Sequence, residues 1–314
     1  MLRYIIRRIL VMIPLLLAVS IIVFLILRLG ENDPAMAYLR LSQIPPTDEA
    51  LAQAREQLGL NRPAVVQYVD WLWKALRMDF GISYVTGVPV TERLLYYLPN
   101  TLYLGSVSLA ITLMFSFPLG IFSALKKDRW PDHMTRAIAY IGVSTPSFWL
   151  GFLLVFVFSV KLGWLPPLGK GGLPHVIMPA FTLALMSMCI NTRLIRGSML
   201  EQINTRSVLY ARVRGIPERW IIARHVLKNS MIPVITAIGM HIGEMIGGAV
   251  VVEIIFAWPG VGRYAVSAIY NRDFPVMQCF ILMMTVLFVL CNLGVDILYA
   301  WLDPRIRYEG GSKQ

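Results

Sequence analysis

Met240, His241 and Glu244 stand on one apolar stretch, 231–255, and carry the side chains of this sequence best suited to chemistry. His241 and Glu244 are three apart, so a helix makes them neighbours on one face. At about 1.5 Å per residue, a helix begun at Met231 places His241 roughly 15 Å along, near the middle of a bilayer. Ionisable groups at that depth are costly and normally face a pathway or a paired partner. An imidazole nitrogen, a carboxylate and a thioether suit a borderline metal such as nickel in transit, with His241 and Glu244 as ligands. A structural His–Glu pair tying helices together fits the same residues. Gly239, Gly243 and Gly247 recur every four residues around them. They leave one helix face nearly bare, which permits close helix approach within the subunit or across a dimer axis. Glu253, Asn292 and Asp296 are further polar groups on apolar stretches, read as caps or ties between helices, with Asp296 a partner for loop arginines.

The elements that must hold these residues are membrane spans. Hydrophobic residues make up 57% of the 314-residue chain and charged residues 15%, against about 25% charged in soluble domains. Six stretches, near 9–29, 101–125, 134–162, 176–192, 231–255 and 276–300, reach the roughly 20 residues needed to cross hydrocarbon. The expected organisation is a first transmembrane helix over 1–30, an extracytoplasmic cap over 31–100, a five-helix core over 101–300 and a cytoplasmic tail over 301–314. The first stretch is too long for the core of a cleaved signal peptide. In the cap, Thr47 followed by Asp48 and Glu49 marks a helix start and Gly59 its stop; Pro63 opens a second helix carrying Trp71 and Trp73. Lys and Arg concentrate at the N-terminus, in the 126–136 turn, in the 193–229 loop and in the tail. That bias places both termini in the cytoplasm. The net charge of +11 is therefore a topology signal, and no nucleic-acid motif accompanies it. Cys189, Cys279 and Cys291 form no Cys-x-x-Cys pair and read as small buried apolar residues.

The 193–229 loop holds eight Lys/Arg against two acids, and its centre runs Tyr210-Ala211-Arg212-Val213-Arg214-Gly215-Ile216-Pro217. The pattern predicts a short helix over 207–214 with Gly215 just past its end. Pro217 would open a second helix running through Trp220 toward Lys228. Two short helices around a glycine hinge make a knob for a cytoplasmic partner; an arginine-rich anchor to lipid headgroups is the plainer reading. No Ser/His/Asp, His-Glu-x-x-His or paired-acid constellation points to an enzyme, and the four histidines fall in four separate segments. Lys170 follows no phosphate-binding glycine loop, so any ATP that drives this protein is hydrolysed by another subunit.

Several motifs together carry a resemblance. They include Arg3-Tyr4 with Arg7-Arg8, Gly30 with Asp33-Pro34-Ala35, Ser144-Thr145-Pro146-Ser147-Phe148-Trp149, and Ala211-Arg212-x-Arg214-Gly215. They continue through Arg224-His225, Gly247 to Glu253, Phe256 to Arg263, Arg272-Asp273-Phe274-Pro275 and Asp303-Pro304-Arg305. Nearly end to end, the chain resembles the membrane permease subunits of bacterial ABC importers for dipeptides, oligopeptides and nickel. The 239–244 stretch and the run from Ile255 to Cys279 look more like the nickel branch. The resemblance implies an all-α type I importer fold of six spans in the inner membrane, paired with a second permease subunit as a heterodimer. It also implies two cytoplasmic ATPase subunits that use ATP and magnesium, an extracytoplasmic nickel- or solute-binding protein, and no cofactor on this chain. It places ATPase coupling at Tyr210, Ala211, Arg212, Arg214, Gly215 and Pro217. The proline that closes the importer motif normally follows the glycine sooner; here Pro233 stands eighteen positions beyond Gly215. The expected cargo is nickel, free or chelated; dipeptides or small oligopeptides are the alternative.

Overall fold

Apolar runs interrupted by prolines and glycines fold into helices throughout the described residues, 2–29 and 33–302 of a computed structural model. Asp303-Pro304-Arg305, Gly30 and the basic tail lie outside the described residues, as does the side chain of Asp296. In order the helices are α1 (Leu2–Leu29), α2 (Pro34–Leu41), α3 (Asp48–Gln57), α4 (Ala64–Leu76), α5 (Val90–Leu125), α6 (Trp130–Ser144) and α7 (Ser147–Leu154). They continue as α8 (Leu173–Ile203), α9 (Arg206–Val213), α10 (Glu218–Trp220), α11 (Lys228–Ile255), α12 (Val261–Asn271) and α13 (Phe274–Leu302). Wider π-helical turns extend α7 over Val155–Lys161 and join α10 to α11 over Ile221–Leu227. Five helical segments are long and apolar enough to cross a membrane, and the α6–α7 pair makes a sixth if its halves form one span.

That sixth span is not the single helix expected over 134–162: it bends by 104° between Ser144 and Ser147. Thr145 precedes a proline, whose ring disfavours helical backbone in the residue before it, and Thr145 is extended at φ −85°, ψ 118°. Its hydroxyl donates back to the Ile141 carbonyl at 2.7 Å, satisfying an acceptor at the broken end. Helix α8 runs to Ile203, so Arg193 and Arg196, expected in a loop, sit on a helix.

The chain divides into two compact units. One comprises Leu102–Trp258 with the chain from Cys291. Lipid tails are as apolar as leucine, so helix association here rests on close packing and buried polar bonds rather than on hydrophobic drive. A Cβ on Gly120 of α5 would stand 2.7 Å from Ile195 Cβ and 2.9 Å from the Thr192 carbonyl of α8. A Cβ on Gly142 of α6 would run into the sulfur of Cys189. Two apolar clusters form along α5, α8 and α11. Leu104, Val176, Leu183, Met245, Val252 and Trp258 belong to the first; Ala124, Ile195, Met199, Val208, Ile221 and Val234 to the second. The order of these numbers makes α5 and α8 parallel and α11 antiparallel to both.

A buried ion pair closes the second end. Asp132, in the first turn of α6, is fully buried. It accepts from Arg196 Nε and Nη2 at 2.6 and 2.7 Å, from Ser123 Oγ at 2.6 Å and from the Asp128 amide at 3.0 Å. Both carboxylate oxygens are saturated, which a charge in this setting requires.

The other unit comprises Leu2–Thr101 with Pro259–Leu290. Asp33 caps α2 through the Ala35 amide at 2.9 Å and pairs with Arg55 of α3 at 2.6 Å. Thr47 caps α3, and Gly59 follows its end at φ +67°. Helix α4 is amphipathic and lies on α1, where Tyr68 bonds Ser20 at 2.8 Å and packs with Phe24 and Trp71. Asp273, in the turn between α12 and α13, gathers the 83–85 segment. It accepts from Ser83 Oγ at 2.5 Å and from the Tyr84 and Val85 amides at 3.1 and 3.4 Å. Burial, with the Asp273 charge adding to it against Arg28, pushes the Tyr84 hydroxyl up to about 12.

Two outcomes follow for the purified protein. Asp132→Asn removes the charge that Arg196 needs and should cost about 3 kcal/mol, with Arg196→Lys milder because it gives up the two-pronged contact. An unchanged thermal midpoint for Asp132→Asn would refute the ion pair. Gly120→Ala should cost about 1–3 kcal/mol through overpacking, read from the same melting curves; a neutral result would mean that α5 and α8 stand farther apart.

Candidate functional site

Two regions hold the residues singled out from the sequence, and both lie in the Leu102–Trp258 unit. In the first, α9 ends at a glycine because the chain must turn left-handed there. Gly215 has φ +74°, a conformation that side chains other than glycine adopt at a cost. Its amide donates to the Arg212 carbonyl at 2.9 Å, and the Ile216 amide donates to Ala211 at 3.2 Å. This double bond pattern is the Schellman helix stop. Pro217 caps α10. Arg212 then reaches across the turn to Glu218, with Nη2–Oε1 at 2.6 Å and Nε–Oε2 at 3.1 Å. The pair is half exposed, and this carboxylate holds the Arg212 guanidinium above its ordinary value.

The turn sorts its side chains cleanly. Val208, Ala211, Ile221 and Val226 are buried on Ile195, Met199 and Val234. Leu209, Tyr210, Val213 and Trp220 are exposed, Val213 by 78%. The expected second short helix is instead the start of a longer one. From Glu218 the chain stays helical through the π turn into α11, with Pro233 inside that helix. No residue between Pro217 and Lys228 breaks a helix, so the chain has no reason to stop there.

In the second region, His241 and Glu244 meet as their spacing requires, Nδ1 to Oε2 at 2.8 Å. His241 is 4% exposed, whereas the Glu244 side chain is largely exposed and Met240 is 58% exposed. Imidazole Nε2 is buried and has no partner among the described residues. These are two metal-capable donors in contact, and Met240 precedes them in the chain. Among the described residues no three His, Cys, Asp or Glu side chains converge. Within the chain the glycine series is not one packed seam. Gly239 lies against Val295 of α13, Gly243 is buried, and Gly247 faces open space. Residues four apart drift about 40° around a helix, so eight positions carry the bare face well away from its start.

The sequence reading missed the pairing of Asp132 with Arg196, and it missed Asn191 and Ser116; Asp132, Asn191 and Ser116 are fully buried polar side chains. Asp132 opens an apolar helix just after a basic turn, and that placement was its signal. Arg196 was hidden among loop cations.

Two family descriptions cover the chain. "Binding-prot-dependent transport system membrane comp, N-term" matches residues 1–105, and "Binding-protein-dependent transport system inner membrane component" matches residues 116–308. The glutathione transport system permease protein GsiC of Escherichia coli strain K12 is 40% identical over 310 residues, spanning 98% of this chain and 100% of the relative. The Salmonella typhimurium LT2 protein of the same name aligns equally well. Among solved structures, the inward-facing MetNI methionine ABC transporter matches with a TM-score of 0.58 at 17% identity, covering 67% of this chain and 96% of that one. An amino acid ABC transporter matches at 0.51 with the same identity, covering 68% and 94%. The chain therefore belongs to the binding-protein-dependent transport system inner membrane components, as a multi-pass permease subunit, with no enzymatic role of its own, of an ABC importer of type I fold.

Proposed function

We propose that this permease passes short peptides of about glutathione size into the cytoplasm. The observation that carries the reading is end-to-end similarity, at 40% identity, to glutathione transport permeases. Nickel, free or chelated, is the reading that the 239–244 stretch suggests by resemblance. The names of the relatives favour the peptide alternative. The His241–Glu244 contact also fits a structural pair, because each group already partners the other.

In this reading both termini and the 204–217 turn face the cytoplasm and 31–100 faces outward. A second permease subunit completes a heterodimer, and an extracytoplasmic solute-binding protein delivers cargo. Two cytoplasmic ATPase subunits bind ATP and magnesium and push on the knob of Tyr210, Ala211, Arg212, Arg214, Gly215 and Pro217. The exposed Leu209, Tyr210 and Val213 supply an apolar face for that contact. The buried Val208 and Ala211 tie the same helix to α8 and α11, so a push on one side reaches the spans.

Proteoliposomes holding the assembled importer should accumulate labelled glutathione or a short peptide in an ATP-dependent way, with excess nickel leaving uptake unchanged. Uptake of nickel with no response to peptide would reverse the cargo assignment. Gly215→Trp should lower uptake tenfold or more, an effect of about 1.4 kcal/mol or greater on the coupled step, while ATP hydrolysis continues. Normal pumping by that variant would remove the knob from the coupling route.

A further inference from the structure

Between the two apolar clusters, the meeting faces of α5, α8 and α11 turn polar. Ser116 and Asn191 are fully buried and His241 nearly so. Helix register brings them to one level. Gly120 meets Ile195 of α8; Ser116 and Asn191 are the residues one turn back from those two on parallel helices. On the antiparallel α11, Gly248 lies against Leu183, and the Ser230 carbonyl accepts from Ser198 Oγ at 3.1 Å. His241 stands seven residues from Gly248 and eleven from Ser230, both near whole numbers of turns, so it shares their face. Interpolating between those contacts sets it opposite the turn from Ser187 to Asn191.

Four polar atoms in this layer have no partner among the described residues: Ser116 Oγ, Asn191 Nδ2 and Oδ1, and His241 Nε2. Each is costly to bury without a hydrogen bond. A buried carboxamide with both ends unmet is the costliest arrangement of the set. The groups also complement one guest. The Asn191 amide offers a donor and an acceptor, and the Ser116 hydroxyl serves as either. With Nδ1–H donating to the Glu244 carboxylate, the imidazole presents Nε2 as an acceptor.

We propose that this layer binds water, one or more ordered molecules bridging Asn191, Ser116 and His241 Nε2 inside the helix core. Water supplies two donors and two acceptors and typically makes about three bonds in such sites. The unmet atoms of Ser116 and Asn191 belong to fully buried, uncharged side chains, a setting that suits water better than a bare cation. Helices that meet across water exchange bonds as they shift without breaking direct side-chain contacts, which makes this level a natural joint between α5, α8 and α11. The proposal is independent of the cargo.

The test uses the assembled importer in detergent. X-ray radiolytic labelling should oxidise His241 despite its burial, because bound water generates hydroxyl radical beside it. Asn191→Leu should lower that labelling severalfold. The same substitution should lower the thermal midpoint, since it strands Ser116 and His241. Ser116→Ala, a milder change suited to the case in which Asn191→Leu fails to assemble, should also lower it. An unlabelled His241 in the wild-type complex overturns the proposal. So does a raised midpoint in either variant, the signature of a dry layer relieved of an unmet polar group.

Discussion

Helix α8 can serve as the axis of its unit only because its end nearest the 204–217 turn is pinned by charge. Arg196 is an ionised group on a membrane helix, and the carboxylate of Asp132 receives it with two parallel hydrogen bonds while Ser123 and the Asp128 amide fill the remaining acceptor sites. A buried pair of this kind gains little over apolar packing, but it tolerates no loss of either partner and only one geometry. It sets where α6 leaves the α5–α6 turn. The bend at Thr145-Pro146 then returns the chain along α7. The bare backbone at Gly120 and Gly142 lets α5 and α6 lie directly against the Ile195 and Cys189 side chains of α8.

The 204–217 turn inherits its rigidity from that frame. Its buried face packs on the same end of α8, and Gly215 turns the chain with two helix-end carbonyls satisfied. Continuity from α10 through the π turn into α11 makes the turn a lever rather than a detachable knob. In the proposed reading, a displacement at Tyr210 or Val213 crosses the Gly215 turn and the Arg212–Glu218 pair before it enters the helix that bears His241. A π-helical segment at the start of that lever is a local excess of one residue, a feature frequent where helices serve function.

Much of this was legible in residues alone. The Gly215 stop, the Thr47 cap and the His241–Glu244 contact follow from short-range rules and were met in the structure. The end of α8 was misplaced because Arg193 and Arg196 look like loop cations until a partner for Arg196 is found sixty-four residues earlier. The second short helix was drawn too short because apolar spans and soluble helices share one backbone, and nothing in the pattern marks a boundary the chain does not make.

The sequence by itself determined that this chain is a helical membrane protein with a basic, glycine-hinged turn, and its motifs carried the resemblance to importer permeases. Hydropathy, charge bias and local stop signals act over a few residues and need no partner to be read. Only the tertiary structure decided which polar groups are spent on holding the helices and which remain unmet. Asp132 finds Arg196, Asp273 finds Ser83, and the side chains of Asn191 and Ser116 find no hydrogen-bond partner among the described residues. Those outcomes depend on helix register and on distances between segments far apart in the chain, and no periodicity within one segment encodes them.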